Sequence, residues 1–285
     1  MIKFLKYFFE AIFVYIFFLF GKFIGLSLSR KFFSKIFRIW GPIFRSKKII
    51  YNNLKKIDQN NFFLDKEKTI SNMWANYGMT FIEYIFLKQL RTSKNHIEIL
   101  GKEFLDDLSK KNKPVIFVSG HFANFELMSM EITKRGVNLA TIYRPLNNYF
   151  LNFFMEYLRK KFVCKNQIKK GRSGVKDSMN YIKNNYSIAL MIDQRVSEGE
   201  RINLFNEEAL TTTLPAQLAL KYNLDIVPIS IKREKDHYFK MKLLDVIKTQ
   251  DFKNKIEVTK KLNQVLEIMI KENPDQWIWT HNRWK

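Results

Sequence analysis

The stretch Val115–Glu126, VIFVSGHFANFE, constrains the fold more than any other part of this 285-residue chain. An apolar, β-branched run ends at a Ser-Gly pair, and an apolar helical stretch follows directly. This order predicts a buried strand, a tight turn and a helix. With Asn124 as the helix cap, Glu126 lies in the first helical turn. With His121 in the preceding turn, we expect the imidazole and the carboxylate to meet.

A histidine held by a carboxylate beside free backbone N–H groups is suited to acyl transfer. The imidazole takes a proton from a hydroxyl, the carboxylate orients the ring, and nearby donors stabilise the oxyanion. The amino end of a helix also favours the negative charge of Glu126. The spacing leaves a second interpretation open, in which His121 only caps the helix.

Two further predicted strands end at charged residues. Arg144 directly follows the strand predicted at residues 139–143, and Asp193 directly follows the strand predicted at residues 188–192. Because ligands bind at the carboxyl ends of strands in open α/β sheets, we expect His121, Arg144 and Asp193 at one edge. An aspartate after a strand is also typical of a simple turn, so each residue alone carries little weight.

The remaining apolar runs complete a predicted α/β fold with a central sheet flanked by helices. Pro228 lies inside one of these runs and predicts an edge strand or an irregular position. The predicted strands cover residues 115–118, 139–143, 188–192, 226–231 and 239–244, and the predicted helices cover residues 65–89, 149–162, 175–184, 213–222 and 255–271.

Charge and composition narrow the possible partners. The formal net charge of +22 attracts nucleic acid, anionic membrane surfaces or phosphorylated substrates. No zinc-finger, RNP or helix-turn-helix pattern occurs, so we expect no nucleic acid partner. The single cysteine, Cys164, excludes an intrachain disulfide and a Cys-based zinc site, and we expect no metal. The 27 phenylalanines suit a protein that contacts lipid, or reflect coding bias.

The amino-terminal segment is apolar over residues 7–28, interrupted only by Glu10 and Lys22. A membrane span needs about 20 apolar residues, and Lys22 lies near enough to one end to reach the headgroups. Apolar residues surround the helix, which favours a single spanning or deeply inserted helix over one lying on the surface. A cleavable signal peptide is the alternative, although no clear cleavage site follows.

This segment divides the chain into two predicted domains, a membrane anchor at residues 1–28 and a larger domain at residues 29–285. The positive-inside rule places the larger domain in the cytoplasm, because basic residues are more frequent after the segment than before it. Residues 30–48 mix these basic side chains with aromatic ones, which predicts an amphipathic stretch lying on anionic lipid.

Several motifs occur together in one order along the chain. The Gly-His121-Phe-Ala-Asn-Phe-Glu126 segment is followed by Tyr-Arg144-Pro, by Gly-Arg172 and by Asp193-Gln, and the chain closes with WIWTHNRWK. This combination resembles the late acyltransferases of lipid A biosynthesis, the lauroyl/myristoyl acyltransferase family of the H-x4-D/E acyltransferase superfamily. The resemblance covers nearly the whole chain.

The resemblance implies a glycerolipid-acyltransferase-like fold with a mixed central sheet, in a monotopic or singly anchored enzyme of the bacterial inner membrane with a cytoplasmic catalytic domain. Such enzymes move a fatty acyl group from acyl carrier protein to a hydroxyl of a Kdo-lipid IVA-like precursor. The implied partners are acyl carrier protein, an anionic glycolipid acceptor and membrane lipid, with no cofactor besides the acyl-ACP thioester. His121 and Glu126 carry over as the catalytic pair. The candidate substrate-binding residues are Asn124, Arg144, Arg159, Arg172 and Asp193.

Two departures from the family pattern bear on substrate detail more than on chemistry. Asn282 stands where the family has an arginine, and Asn206 stands where the family often has a glycine. Two other functions remain open at this point. One is acylation of another membrane lipid, such as an aminolipid or a glycosylated phosphoinositide. The other is a non-catalytic basic membrane-binding protein, against which the intact His121 and Glu126 argue.

Overall fold

The structure, a computed structural model, describes residues 2–58, 63, 65–235 and 238–285 and has an α/β fold. The strands are β1 (Ile97–Leu100), β2 (Ile116–Ser119), β3 (Leu139–Tyr143), β4 (Asn166–Lys169), β5 (Ser187–Met191), β6 (Glu200–Leu204), β7 (Glu207–Thr211), β8 (Ile226–Arg233) and β9 (Phe239–Leu243). The helices are α1 (Ile2–Phe44), α2 (Lys47–Ile57), α3 (Lys66–Glu83), α4 (Leu87–Thr92), α5 (Lys102–Lys111), α6 (Glu126–Lys134), α7 (Tyr149–Phe162), α8 (Arg172–Lys183), α9 (Leu214–Tyr222) and α10 (Lys255–Glu272).

Seven of the strands form one mixed sheet in the order β1-β9-β8-β2-β5-β3-β4. The neighbouring strands β8, β2, β5, β3 and β4 are parallel. β9 pairs antiparallel with β8, and β1 pairs parallel with β9. β2 is buried along its whole length, as a strand covered on both faces by helices must be. The predicted α/β fold with a mixed central sheet and flanking helices is confirmed.

The two sheet-edge strands β1 and β4 do not follow from the sequence pattern. Each is four residues long, and neither contains the continuous apolar run of a buried strand. Pro228, by contrast, lies inside the central part of the sheet, so the predicted edge position is wrong. It is the last residue of β8 in register with β2, and the antiparallel pairing with β9 begins at Ile229.

The small hairpin β6–β7 explains one departure from the family pattern. Its two-residue turn, Phe205-Asn206, has both φ angles positive, at 55° and 62°. Such turns fit the twist of the flanking strands and favour glycine or asparagine. Asn206 therefore adopts the same backbone conformation for which a glycine is well suited.

Helix α1 is broken at Gly25, whose φ of 79° and ψ of 167° are accessible almost only to glycine. We name residues 2–24 the first arm and residues 26–44 the second arm. The chain folds back at the break, because the Phe17 and Phe33 rings lie 5.8 Å apart and the Ser29 hydroxyl donates to Gly21 O. The second arm carries helical structure on to residue 44, well past residue 28, the predicted end of the anchor.

The second arm packs closely along α3. Gly78 makes this possible, because a Cβ atom there would lie 2.3 Å from the backbone oxygen of Phe33. The helix predicted at residues 65–89 is in fact α3, a 3-10 turn at Tyr84–Phe86 and α4. The bend redirects the chain after Glu83 and presents the Tyr84 side chain to the site described next.

Candidate active site

His121 and Asp193 are in direct contact at the carboxyl edge of the sheet. β2 and β5 are parallel neighbours, so the residues that follow them reach the same edge. Nδ1 of His121 lies 2.7 Å from Oδ1 of Asp193, and the His121 backbone N–H donates to Oδ2 over 2.8 Å. The carboxylate therefore fixes both the turn and the ring, and Nε2 is the ring nitrogen left for a substrate.

Asp193 is buried and remains ionised. Burial by itself raises its pKa, but the interaction with His121 and the hydrogen bonds from His121 and Trp277 outweigh burial and hold the pKa at about 2. The Trp277 indole N–H donates to Oδ2 over 2.9 Å. Backbone contacts join the same carboxyl-terminal segment to the His121 turn, since Ala123 N–H donates to Gln276 O over 3.2 Å. The tail thus forms one wall of the site.

Glu126 does not contact His121, so the direct pairing expected from the H-x4-E spacing is wrong. Its Oε1 accepts hydrogen bonds from the Tyr84 hydroxyl over 2.6 Å and from Arg159 Nε over 2.8 Å. Arg159 Nη2 lies 2.6 Å from the same oxygen. The guanidinium and the phenol draw Glu126 toward α7 and the 3-10 turn, while Asp193 takes the place beside the His121 ring.

All bonds that the described residues make to the Glu126 carboxylate fall on Oε1. Burial and the negative charge of Glu126 raise the pKa of Tyr84, so this phenol stays protonated and donates to the carboxylate. Burial lowers the pKa of Arg159, but the ion pair with Glu126 more than offsets this and raises it. Arg159, which the sequence predicts as a substrate-binding residue, lines the cavity and is paired with Glu126 through two of its nitrogens.

Asn124 is a structural residue of the His121 turn. Its side chain is 1% exposed and donates from Nδ2 to Glu83 Oε2 over 2.8 Å. It neither caps α6 through its side chain nor lines the cavity, so the structure does not support the predicted cap or a contact with substrate. Its amide instead supports the turn that carries His121, through the bond to Glu83.

The Glu83 carboxylate that binds Asn124 is fully buried between two guanidinium groups. Arg233 reaches it through Nη1 and Nη2, and Arg30 reaches it through Nε. Burial alone raises the pKa of Glu83, but the two arginines lower it to about 2. This cluster joins the second arm, α3 and β8 beneath the turn.

The backbone of the turn is strained at Ala123, a non-glycine residue with a φ of 44°. Such a conformation costs about 1–3 kcal/mol and persists where the surroundings fix it. Two bonds do so here, because the Thr80 hydroxyl donates to Ala123 O over 2.9 Å and Ala123 N–H donates to Gln276 O. The turn that presents His121 is therefore preformed.

A cavity of about 750 Å³ opens at this edge of the sheet and is lined by both His121 and Glu126. One part of its wall is apolar and includes Val14 and Phe18 of the first arm. Another part is cationic, with Arg144 after β3 and Lys170 after β4. Loss of solvation and the neighbouring Arg144 guanidinium lower the pKa of Lys170.

The predicted binding residue Arg172 lies elsewhere. It is exposed at the first position of α8 and does not line the cavity. His281 does line it, although the sequence alone did not single out this residue as part of the site. Burial lowers the pKa of His281, which favours the neutral imidazole. Its Nδ1 is buried and has no hydrogen-bond partner among the described residues.

Comparison with known proteins assigns the family. The sequence model of the bacterial lipid A biosynthesis acyltransferases matches residues 2–285. The chain belongs to this family. As a lipid A acyltransferase, it is an enzyme of the lauroyl/myristoyl type, and the resemblance predicted from its motifs is confirmed.

Two curated relatives are similar to this lipid A acyltransferase at low identity. "Lipid A biosynthesis acyltransferase 2" of Shigella flexneri is 21% identical over 226 residues, which cover 75% of this chain and 70% of the relative. "Lipid A biosynthesis lauroyltransferase" of Escherichia coli K12 is 22% identical over 249 residues, covering 85% and 79%. Among solved structures, the 1-acyl-sn-glycerophosphate acyltransferase PlsC of Thermotoga maritima matches with a TM-score of 0.41 and 15% identity, over 89% of this chain and 96% of that one.

The residues that the sequence analysis missed enter the site through long-range contacts. Tyr84 and Trp277 lie 42 and 84 residues from their partners Glu126 and Asp193. Of the missed residues, Lys170 was the easiest to predict from the sequence, because it directly follows a strand, as Arg144 does. Since that strand, β4, escaped prediction, the position of Lys170 at the edge escaped as well.

Proposed function

We propose that this acyltransferase moves a fatty acyl group from an acyl carrier protein thioester to a hydroxyl of a Kdo-lipid IVA-like lipid A precursor. The observation that carries the proposal is the His121–Asp193 contact in the wall of a cavity of about 750 Å³ with apolar and cationic parts. Family membership supports the lipid A acceptor.

In the proposed mechanism, Nε2 of His121 takes the proton from the acceptor hydroxyl as its oxygen attacks the thioester carbonyl carbon. Asp193 holds Nδ1–H and stabilises the imidazolium that forms. The tetrahedral intermediate then collapses, the C–S bond breaks, and the imidazolium returns its proton to the leaving thiolate. The new ester carries the acyl group, and His121 is neutral again.

Glu126 has a separate role in this proposal. Because Tyr84 and Arg159 occupy Oε1, Oε2 is available to accept a hydrogen bond from the acceptor hydroxyl. Such a bond orients the hydroxyl for proton transfer to His121, and correct orientation supplies a large part of enzymatic rate enhancement. His121 and Glu126 then act together through the substrate rather than through a direct bond between them.

The cavity wall supports a division of substrate binding. Arg144 and Lys170 contact the phosphate of the anionic glycolipid, since guanidinium and ammonium groups both bind phosphate oxygens. Apolar residues of the wall, such as Val14 and Phe18, hold an acyl chain. The proposal requires no metal or cofactor, because the thioester itself is activated toward attack.

For localisation, we propose the bacterial inner membrane with the catalytic domain on the cytoplasmic side, where acyl carrier protein is available. Support comes from one amino-terminal helix that is long and apolar enough to cross a membrane by length and composition. The net charge of +22 supports binding to anionic lipid and to an acidic carrier protein.

The test uses the purified full-length protein in detergent micelles with lauroyl- and myristoyl-acyl carrier protein. Three acceptors are compared, namely a Kdo-lipid IVA-like glycolipid, an aminolipid and a glycosylated phosphoinositide. We expect product ester, detected by mass spectrometry, with the first acceptor and its loss in His121→Ala. Product with only one of the other acceptors contradicts the proposed substrate, and product from folded His121→Ala contradicts the proposed base.

A further inference from the structure

Arg233 is a buried arginine at the last position of β8, and it does not line the cavity. Its guanidinium group nevertheless makes hydrogen bonds through all three nitrogens. Nε donates to Asn76 Oδ1 over 3.1 Å, and Nη1 and Nη2 both donate to the Glu83 carboxylate. Nη2 also donates to the Thr80 hydroxyl over 3.3 Å. Because Arg233 lies outside the cavity, any part that it plays in the reaction passes through these neighbours.

Two of these side-chain bonds lead to the strained turn before α6. Glu83 Oε2, which Arg233 Nη2 binds over 3.0 Å, also accepts the Asn124 amide over 2.8 Å. The Thr80 hydroxyl accepts from Arg233 and donates to Ala123 O over 2.9 Å. One guanidinium group therefore orients the partners of two successive residues of the turn.

The backbone of Arg233 makes a third connection, through the carboxyl-terminal tail. Arg233 N–H donates to Gln276 Oε1, and Gln276 Nε2 donates to Arg233 O, each over 2.8 Å. The backbone oxygen of the same Gln276 accepts the Ala123 N–H over 3.2 Å. Both polar backbone groups of Ala123 are thus bonded to residues that Arg233 itself binds.

Ala123 needs this support, because its φ of 44° is unfavourable for a residue that has a side chain. Without bonds to its N–H and C=O groups, the backbone relaxes toward an ordinary conformation. His121 lies two residues earlier in the same turn, so its imidazole moves with the backbone. A displacement of about 1 Å in a reacting group is enough to lower a rate by about 10²-fold.

We propose that Arg233 is a positioning residue of the acyl transfer, which holds the turn at Ala123 in its strained conformation and so orients His121 toward the acceptor hydroxyl. Arg233 then supports the chemical step rather than substrate binding. This inference rests on the proposed role of His121 as the base, and its test separates the two.

Arg30 of the second arm provides a matched control. It is also buried, and it binds the same Glu83 carboxylate through Nε. Among the bonds of the described residues, those of Arg30 end at Glu83 and do not continue to Thr80 or Gln276. Arg30→Gln and Arg233→Gln therefore each remove one guanidinium group from a buried carboxylate, but only the second removes support from the turn.

The test compares these two variants with the native full-length protein in detergent micelles. Chemical denaturation measures the stability of each, and hydrogen exchange read by mass spectrometry measures the opening of residues 120–126. Steady-state kinetics with lauroyl-acyl carrier protein and a Kdo-lipid IVA-like acceptor give kcat and KM. We expect both variants to be less stable. Only Arg233→Gln should exchange faster in the turn and lose about 10²-fold in kcat, with little change in KM.

Equal exchange in the turn and equal kcat for the two variants overturn the proposal, because an arginine with a purely structural role lowers stability without moving the turn. A native chain that forms no product contradicts the proposed function instead. In that case the hydrogen-exchange comparison still decides whether Arg233 holds the turn.

A second substitution tests the same connection without leaving a buried charge unpaired. Thr80→Val is similar in shape and removes the hydroxyl that joins Arg233 to Ala123 O. Thr80→Ser keeps the hydroxyl and is its control. We expect faster exchange in the turn and a lower kcat in Thr80→Val alone, and native values in Thr80→Val overturn the proposal.

A rescue experiment separates positioning from a general loss of stability. Glycine adopts a positive φ without strain, so Ala123→Gly reduces the need for external support of the turn. We expect Ala123→Gly, added to Arg233→Gln, to restore part of the lost kcat. The absence of any recovery in folded double variant overturns the proposal.

Discussion

Trp277 donates its indole N–H to Asp193 over 2.9 Å, on the carboxylate whose other oxygen lies 2.7 Å from the ring of His121. The pair is a strand-end aspartate and a tryptophan of the carboxyl-terminal tail, 84 residues apart. Each bond to the carboxylate removes freedom from it, so the imidazole is held in one orientation before substrate binds. The predictions below follow from this arrangement and from the groups around it.

The first prediction concerns His121 and Asp193 as a unit. We expect His121→Ala to lower turnover by about 10²–10⁴-fold, the usual contribution of a general base. Asp193→Asn should also lower it strongly, since the ring loses the carboxylate that stabilises the imidazolium. The double variant should be little slower than the slower single variant, because residues that act as one unit are non-additive. Steady-state kinetics on folded protein measure this, and additive losses would contradict the pairing.

The second prediction compares the stability lost when Glu126 is changed with the stability lost when Tyr84, which binds it, is changed. Glu126→Gln leaves the buried Arg159 without an ion-pair partner, and breaking such a pair costs about 3–5 kcal/mol of stability. Tyr84→Phe removes the hydrogen bond that the phenol donates to Glu126 and the one that it accepts from Arg159, but it leaves the ion pair itself in place. Chemical denaturation of detergent-solubilised protein should therefore rank Glu126→Gln below Tyr84→Phe. The reverse order would show that the pair is not the main support of Glu126.

The third prediction tests the cationic wall of the cavity. We expect Arg144→Ala and Lys170→Ala to raise KM for a phosphorylated acceptor, with a smaller effect on kcat, because both residues act in binding. Arg172→Ala is the matched control, since Arg172 is exposed and outside the cavity lining. Kinetics with phosphorylated and dephosphorylated acceptors measure the difference. Equal KM changes for all three variants would show that Arg144 and Lys170 do not bind the phosphate.

The fourth prediction is a loss of stability in acid. The pKa of Asp193 is about 2 in the folded protein and 3.8 ordinarily, so folding favours its ionised form. Its contribution to the free energy of unfolding, about 2 kcal/mol, is present above the ordinary pKa. That contribution is lost as pH falls toward about 2. Unfolding midpoints measured from about pH 6 to about pH 3 should fall for the native chain and fall less for Asp193→Asn. Identical slopes would contradict the assignment.

The fifth prediction concerns the bend of α1. Gly25→Ala should destabilise the bent arrangement by about 1–3 kcal/mol, because only glycine adopts this backbone conformation without strain. A steric clash does not contribute, since no atom lies within 4 Å of the position a Cβ would take. Ser27→Ala, at an exposed helical position nearby, is the control. A short bismaleimide should join Phe4→Cys to Tyr149→Cys, because the native rings lie 6.1 Å apart. The yield of this cross-link should decrease in Gly25→Ala alone, and an unchanged yield would contradict the strain argument.

The sequence predicted those parts of the fold whose pattern is local. The strand at residues 139–143 and the helix at residues 149–162 match β3 and α7 at both ends. In each case the apolar spacing and the residues at the ends specify the element by themselves. The central strands were found for the same reason, because a buried strand must be apolar throughout.

The site was predicted in its residues but not in its pairings. His121, Glu126 and Arg144 all line the cavity, yet His121 contacts Asp193 instead of Glu126. A spacing of five residues fixes which residues are near one another, but not which bonds form. That choice depends on Arg159, which reaches Glu126 from 33 residues away, and such a contact leaves no periodic pattern in the sequence.

The strand order places β5 between β2 and β3, although β2 and β3 precede it in the chain. During folding, any early pairing of β2 with β3 has to open before β5 enters between them. Contacts between residues distant in sequence slow folding, because loop closure costs entropy before the contacts form. Insertion of β5 also delivers Asp193 to His121, so recovery of activity should lag behind helix formation when the denatured protein is refolded.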